Sequence, residues 1–344
     1  MSSDALENLP DFDIYFRPEY LRVSEIAGGG EGISLILGTG SMRALCPVLV
    51  RRNEQVADAF TPYGYGGLLW CGTAFNSVAA SRYLFECLRR WCHDKGLTCC
   101  LLRLHPLLLH QFCIEGVSGP QTLVSEHGVT LGLDLSEWDT NHDRLAGLSK
   151  GRRSDLAVAK RSLTVEILEG GQRISSWIGA FREMYEATMT RLNSTAFYHF
   201  PPSYYDTILE KMGSHTMLAL ARQNEELVAA SLFFKDHNFA HYHLSATTER
   251  GLAQRATTLI LHEASRWARN QGCSWLHLGG GIQPYDGLHQ FKASFGAREF
   301  PYYYVTVIAD PKKYAELVTQ KASIWPYSEG SSEGTAIVYP NGKR

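Results

Sequence analysis

Long apolar runs are missing from this chain. No stretch reaches the roughly 20 apolar residues that would span a bilayer, and the longest tracts, Ile33 to Leu37 and Cys99 to Leu102, have the length of buried strands. A dominant charge is missing too. The 33 Lys and Arg against 35 Asp and Glu leave a net charge of −2, which gives no global attraction to nucleic acid but leaves room for a local basic patch. Met1 to Phe12 carries Asp4, Glu7 and Asp11 and lacks both a basic region and an apolar run, so no export signal is read there. A cytoplasmic location without stable membrane insertion is expected. Metal signatures are also lacking. HDR at 142–144 and HEA at 262–264 do not make HExxH, and His241 and His243, two apart on a strand-like run, have no carboxylate or thiol at ligand spacing. No metal site is expected.

What is present is ordinary globular composition, 44% hydrophobic and 20% charged, over 344 residues, enough for about two domains. The eight cysteines are read as reduced thiols; adjacent Cys99 and Cys100, Cys87 and Cys92 in one helical pattern, and Cys46 and Cys273 in strand-like surroundings look like small apolar side chains in a core. An internal echo organises the chain. LFECLRRWCHDKGLTCCLLRL from Leu84 and ILHEASRWARNQGCSWLHL from Ile260 each carry Arg-Trp, then Gly96 or Gly272 five residues after the Trp, then a strand-like run. Leu84, Cys87, Leu88 and Trp91 share one helix side, as do Ile260, Ala264, Trp267 and Ala268. The common instruction is amphipathic helix, glycine stop, buried strand, and it points to a duplicated α/β lobe.

Around the echo, ISLILG and ALCPVLVRR read as strands joined at Gly38–Gly40, with helix 76–94 and strand 98–104 after them and Asp13 to Val23 poor in strand signal. In the second half, helices are expected at 174–192, 204–212 and 255–270, and strands at 217–221, 228–235, 239–245 and 274–278. Four stretches carry possible chemistry. DAFTPYGYGGLLW offers Tyr63 and Tyr65 either to a ligand or to packing beside the sheet. Lys150, Arg152, Arg153, Lys160 and Arg161 outnumber Asp155 and suit a phosphate-bearing ligand, or form the solvated side of a connecting helix. Gly279-Gly280-Gly281 ends a strand but opens no glycine-spaced helix, so it is no dinucleotide fingerprint. Gly280 either lets a substrate approach the backbone or serves a tight turn. In GLHQFKASFG, Phe291 and Phe295 lie one turn apart and Lys292 faces elsewhere, as a fixed ammonium for developing negative charge or as a surface lysine between core rings.

DIYFRPEYL at 13–21, TPYGYGG at 61–67, WLHLGGG at 275–281 and DGLHQFKASFG at 286–296 together resemble the FemABX family of aminoacyl and peptidyl transferases, built from tandem GNAT-like lobes. The resemblance implies an α/β fold with mixed β-sheets flanked by helices in each lobe. The first lobe is expected over 1–155, with 318–344 returning to complete it, and the second over 156–317. It further implies an acyltransferase that moves an amino acid from charged tRNA to an amine, on a small peptide, a natural-product intermediate or a peptidoglycan precursor, with no bound cofactor. Lys292 and Phe291 would stand beside the donor ester. Tyr63 and Tyr65 are then candidates for the acceptor pocket, with Tyr242 or His243 on the second lobe, and Arg152 and Arg153 match a basic helix between lobes. ATTERGLAQRATT, 246–258, lacks the compact Gln/Arg-x-x-Gly-x-Gly/Ala turn of a coenzyme A site. An acyl-CoA-dependent N-acyltransferase and a silent binding protein on the same fold remain the alternatives.

Overall fold

The computed structural model describes Leu9 and residues 12–54, 57–71, 77–111, 114–281 and 285–319. Pro18, with its fixed φ and no N–H to satisfy, starts helix α1 (Pro18–Gly28), which buries Tyr20, Leu21, Val23 and Ser24 and stops at Gly29, φ +63°. The strand-poor Asp13–Val23 is thus a helix entry. Strands β1 (Glu31–Thr39) and β2 (Met42–Arg52) form a hairpin in register from Glu31↔Val50 to Thr39↔Met42. Gly38 is obligatory there, because at φ +79° a Cβ would stand 2.0 Å from the Met42 carbonyl oxygen. Strand β3 (Ala57–Phe60) follows on β2, and β4 (Leu69–Trp70) pairs with β2 as well. Helix α2 (Val78–Asp94), capped by the Ser77 hydroxyl, packs Leu84, Phe85, Leu88 and Cys92 onto Ala44, Cys46, Val48 and Val50 of β2. Strand β5 (Cys99–Arg103) then lies parallel to β3.

Strand β6 (Thr122–Asp134) carries the chain across a boundary. Of the described residues, those up to Gly128 and from Pro301 form one unit, and Val129–Phe300 the other. In the second unit the short strands β7 (Trp138–Asp139) and β8 (Arg144–Leu145) pair with each other. Helix α3 (Lys150–Ser162) is capped by Ser149, whose hydroxyl accepts from the Arg152 N–H. Strand β9 (Thr164–Glu169) precedes α4 (Gly171–Ser175) and α5 (Ile178–Arg191), a pair broken at Ser176–Trp177 where one helix over 174–192 was expected. Helix α6 (Pro202–Met212) leads into the antiparallel strands β10 (Thr216–Gln223), β11 (Glu226–Asp236) and β12 (Phe239–Thr247). After α7 (Glu249–Ala253) and α8 (Ala256–Asn270), strand β13 (Trp275–Gly279) pairs parallel with β12 and antiparallel with the second half of β6. The sheet order is β9-β10-β11-β12-β13-β6. Helix α8 buries Leu259, Ile260, Leu261, Ala264 and Ala268 in one core with Leu156 and Ala159 of α3 and Met217, Phe233 and Leu276 of the sheet.

Helix α9 (Gly287–Ala293) and strand β14 (Arg298–Ile308) close the path, and β14 re-enters the first unit at Pro301, where Tyr304–Ile308 pairs antiparallel with β5. Helix α10 (Pro311–Thr319) follows, burying Tyr314 and Leu317. The boundaries therefore fall before those expected at 155/156 and 317/318. Leu131–Asp134 is hydrogen-bonded to β13 and α3 packs on α8, which binds 129–155 to the second unit. Residues 320–344 lie outside the described residues. Among the described residues no helix is long and apolar enough to cross a membrane.

Candidate active site

Parallel pairing of β12 with β13 covers only Phe239–His241 against Trp275–His277. Beyond it β13 ends at Gly279, φ +69°, and Gly280 lies so close to the Val129 carbonyl oxygen that a Cβ would meet it at 3.1 Å. Asp286 caps α9 by accepting from the His289 N–H at 2.7 Å. Lys292, in the last turn, is 6% exposed, and its Nζ donates to the Gly280 carbonyl oxygen at 2.5 Å. An ammonium that deep is held by hydrogen bonding rather than by water. The lysine is thus pinned to the end of a central strand.

Its neighbour Phe291 stands edge-on to Phe295, centroids 5.3 Å apart, under the Arg152 guanidinium at 4.9 Å. Arg152 also donates to the Thr258 hydroxyl at 3.1 Å and pairs with Asp155 at 3.0 Å. Gly296, φ +83°, lets the turn press backbone to backbone on Gly147, where a Cβ would stand 2.7 Å from the Gly147 Cα, and the Ser149 N–H donates to the Ser294 carbonyl at 3.0 Å. The Phe-Lys motif and the basic helix, read separately in the sequence, are therefore one packed assembly. Arg153 donates to the Leu148 carbonyl at 2.6 Å, while Lys150, Lys160 and Arg161 are exposed on α3.

The other candidates are distributed differently. The β11–β12 register slips by one residue at His243, and this bulge separates the two histidines. His241 is buried with its ring 5.6 Å from that of His277, whereas His243 Nε2 meets the Tyr204 hydroxyl at 2.7 Å and its ring lies tilted against Phe234, centroids 4.3 Å apart. Burial, aided by His241, pushes the His243 imidazole down to about 3 and keeps it neutral. Tyr242 packs against Phe233, centroids 5.2 Å apart, beside the α8 core, and burial raises its phenol.

Tyr63 and Tyr65 belong to the first unit. The Tyr63 carbonyl accepts from the Tyr20 hydroxyl at 2.6 Å, and buried Tyr65 lies edge-on to Tyr15 and Tyr302. Sequence reasoning missed what holds them. Arg103, 2% exposed, sits 4.2 Å over the Tyr65 ring and 4.9 Å over Tyr302, and His105 meets Asp13 at 2.8 Å with both side chains fully buried. Arg103 and His105 flank the strand end after CCLL, which alone gave no signal beyond a buried strand.

Residues 144–286 match the family model described as an acetyltransferase (GNAT) domain. The fold of the matched segment is the one observed, an α/β arrangement with mixed sheets flanked by helices. The chain is similar in fold to FemX, at 12% identity over 90% of this chain and 96% of that one, TM-score 0.65. It is also similar to the C-terminal DUF2156 domain of an Agrobacterium fabrum protein described as a lysylphosphatidylglycerol synthetase, at 14% identity over 88% and 89%, TM-score 0.59. L-PGS from Bacillus licheniformis aligns at 13% identity over 86% and 93%, TM-score 0.52. No curated protein matches the sequence.

Proposed function

We propose that the chain is an aminoacyl-tRNA-dependent aminoacyltransferase that forms an amide bond on an amine acceptor, a small peptide, a natural-product intermediate or a peptidoglycan precursor. The observation that carries the reading is the buried Lys292 ammonium, fixed on the Gly280 carbonyl where β12 and β13 cease to pair and braced through Phe291 by Arg152. The acceptor amine attacks the carbonyl carbon of the donor ester, forming the C–N bond and a tetrahedral oxyanion. Lys292 stabilises that charge. On collapse the C–O bond breaks, and the 3′-end hydroxyl leaves with the proton that the amine gives up. Because the ester is already activated, positioning and one preorganised cation supply the main acceleration. Phe291 presents its ring to the terminal nucleotide or holds the lysine, and Gly280 keeps the strand end open to close approach. Tyr63 and Tyr65 in the first unit, and separately Tyr242 or His243 in the second, are the residues proposed for acceptor contacts, and the exposed cations of α3, beside Arg152 and Arg153, those for phosphate contacts.

A coenzyme A donor is the second reading, favoured by the GNAT match. Against it, the turn that would cradle a pyrophosphate is wound into α7, with the Gly251 N–H spent on the Thr248 hydroxyl at 3.0 Å and Arg255 on Asp155 at 3.2 Å. The fold likeness to a lipid-modifying synthetase adds a lipid acceptor to the trials.

The test is single-turnover transfer from a charged tRNA 3′-end and, in parallel, from acyl-CoA. With the tRNA donor, Lys292→Ala and Lys292→Met are expected to slow transfer about 10²- to 10³-fold while donor binding persists. Transfer at the wild-type rate in both variants rejects the Lys292 placement, and turnover of acyl-CoA alone rejects the donor.

A further inference from the structure

Outside the Lys292 assembly, three side chains of the second unit line up where α5 ends. Glu186 lies on the last turns of that helix. After Arg191 the chain reverses through Asn193, φ +50°, with the Ser194 N–H donating to the Met189 carbonyl at 3.1 Å. A single 3-10 turn, Ala196–Tyr198, then delivers His199 back onto the helix. His199 Nδ1 stands 2.7 Å from Glu186 Oε2, and its Nε2 stands 3.3 Å from the Ser194 hydroxyl oxygen. Carboxylate, imidazole and hydroxyl are thus joined in series, the order that activates a serine.

The roles follow from the partners. Donating Nδ1–H to Glu186 fixes the tautomer that leaves the Nε2 lone pair facing the Ser194 hydroxyl. The other carboxylate oxygen of Glu186 is buried and has no hydrogen-bond partner among the described residues, so the acid's contact with the imidazole is its principal polar tie. The side chain of His199 is 35% exposed and Ser194 is half-buried, which leaves the hydroxyl open to a small ester arriving from solvent. The left-handed Asn193 matters here, since that backbone reversal is what sets a serine and a histidine five residues apart within reach.

We propose that Ser194, His199 and Glu186 form a serine-nucleophile site that takes the acyl group of a small activated ester and releases it to water. In the first step Ser194 Oγ bonds to the ester carbonyl carbon while His199 Nε2 takes the hydroxyl proton. The alcohol leaves with that proton as its C–O bond breaks. In the second, water attacks the acyl-serine, His199 takes one water proton, and Ser194 Oγ recovers it as the carboxylic acid departs. No oxidant, metal or further reactant is needed.

The full-length protein is tested with a fluorophosphonate probe and peptide mass mapping, and with p-nitrophenyl acetate for turnover. The expected result is one adduct per chain on Ser194, absent in Ser194→Ala. In His199→Gln the labelling rate should fall about 10²-fold or more, with a smaller fall in Glu186→Gln. Lys292→Ala should label like wild type, which keeps this site's failure distinct from that of the transferase reading. Two outcomes overturn the proposal. One is a folded wild type unmodified at Ser194, whatever the variants do to Tm, because the three residues are then a clasp on the helix end. The other is a Ser194 labelling rate indifferent to His199→Gln, which marks an ordinary surface hydroxyl.

Discussion

The two units use one device twice and then diverge. Helix α2 ends with the Gly96 N–H on the His93 carbonyl at 2.9 Å and the Leu97 N–H on Cys92 at 2.8 Å, and α8 ends with Gly272 on Arg269 and Cys273 on Ala268, both at 3.0 Å. The glycines stand at φ +64° and +83°, and each is followed by a strand that runs parallel to an earlier one, β5 with β3 and β13 with β12. The difference comes one residue past the strand. In the first unit the chain passes into Leu104 and His105, and His105 is tied to Asp13 in a closed interior. In the second the strand ends on Gly279 and passes into Gly280 and Gly281, and the Gly280 carbonyl receives a lysine. The repeated scaffold fixes where a strand ends, and the connection after it decides whether that end is closed by packing or holds a buried lysine.

The largest effect expected from breaking this comparison is on the first unit. A chain stopped at Phe300 loses the strand that pairs with β5 and removes Val305 and Val307 from the core, so residues up to Gly128 should unfold. Residues 129–300, contiguous and holding their own β6–β13 pairing, should stay protease-resistant. Limited proteolysis with circular dichroism checks both, and a first unit that survives would make β14 dispensable.

Acid should separate the units next. His243 and His262, both in the second unit, are held neutral by burial, down to about 3 and about 4. Their folded values lie below the ordinary histidine value near 6.5, so the unfolded chain binds more protons as pH falls. The stability they lend is whole above about pH 6.5 and drains as pH falls towards those lower values, by an expected few kcal/mol on the order of. Denaturant melts from pH 7 to 4 measure the slope, and His243→Asn should reduce it by up to about one proton.

The smallest effect is the sharpest test of the echo. A Cβ at Gly96 or Gly272 meets nothing within 4 Å, so Gly→Ala at each should cost only the backbone strain of positive φ, about 1 kcal/mol. Equal costs support one stop signal used twice, and a difference well beyond about 0.5 kcal/mol would mean that the two helix ends carry different loads.

Much of this was legible in the chain, for reasons that can be named. Helices α2 and α8 announce themselves by periodic burial and a glycine stop, and the hairpin β1–β2 by Gly38 and Gly40. Strand β6 gave no such sign, because Thr122–Gly128 is half-buried or exposed and its second half finds β13 only after about 140 intervening residues have folded. Strand β3 was concealed in a run of aromatics and glycines. Phe291 and Lys292 were singled out by their spacing in GLHQFKASFG and then by the family resemblance, while the Arg152 contact with the Phe291 ring was not foreseen, since it joins α3 to α9, far apart in sequence. Ser194, His199 and Glu186 have no diagnostic spacing, and a left-handed Asn193 is a backbone fact rather than a sequence pattern.

The strand that completes the first sheet is made after the second unit, and that sets a clock. At translation rates of about 5–20 residues per second, the β5 edge waits on the order of ten to forty seconds for β14 to emerge. During that interval Cys99–Arg103 offers a row of unpaired backbone groups on an apolar strand, the template that other nascent chains can add to. Yield in the cell is then governed by what shields this edge while the ribosome finishes, and not only by the stability of the finished fold.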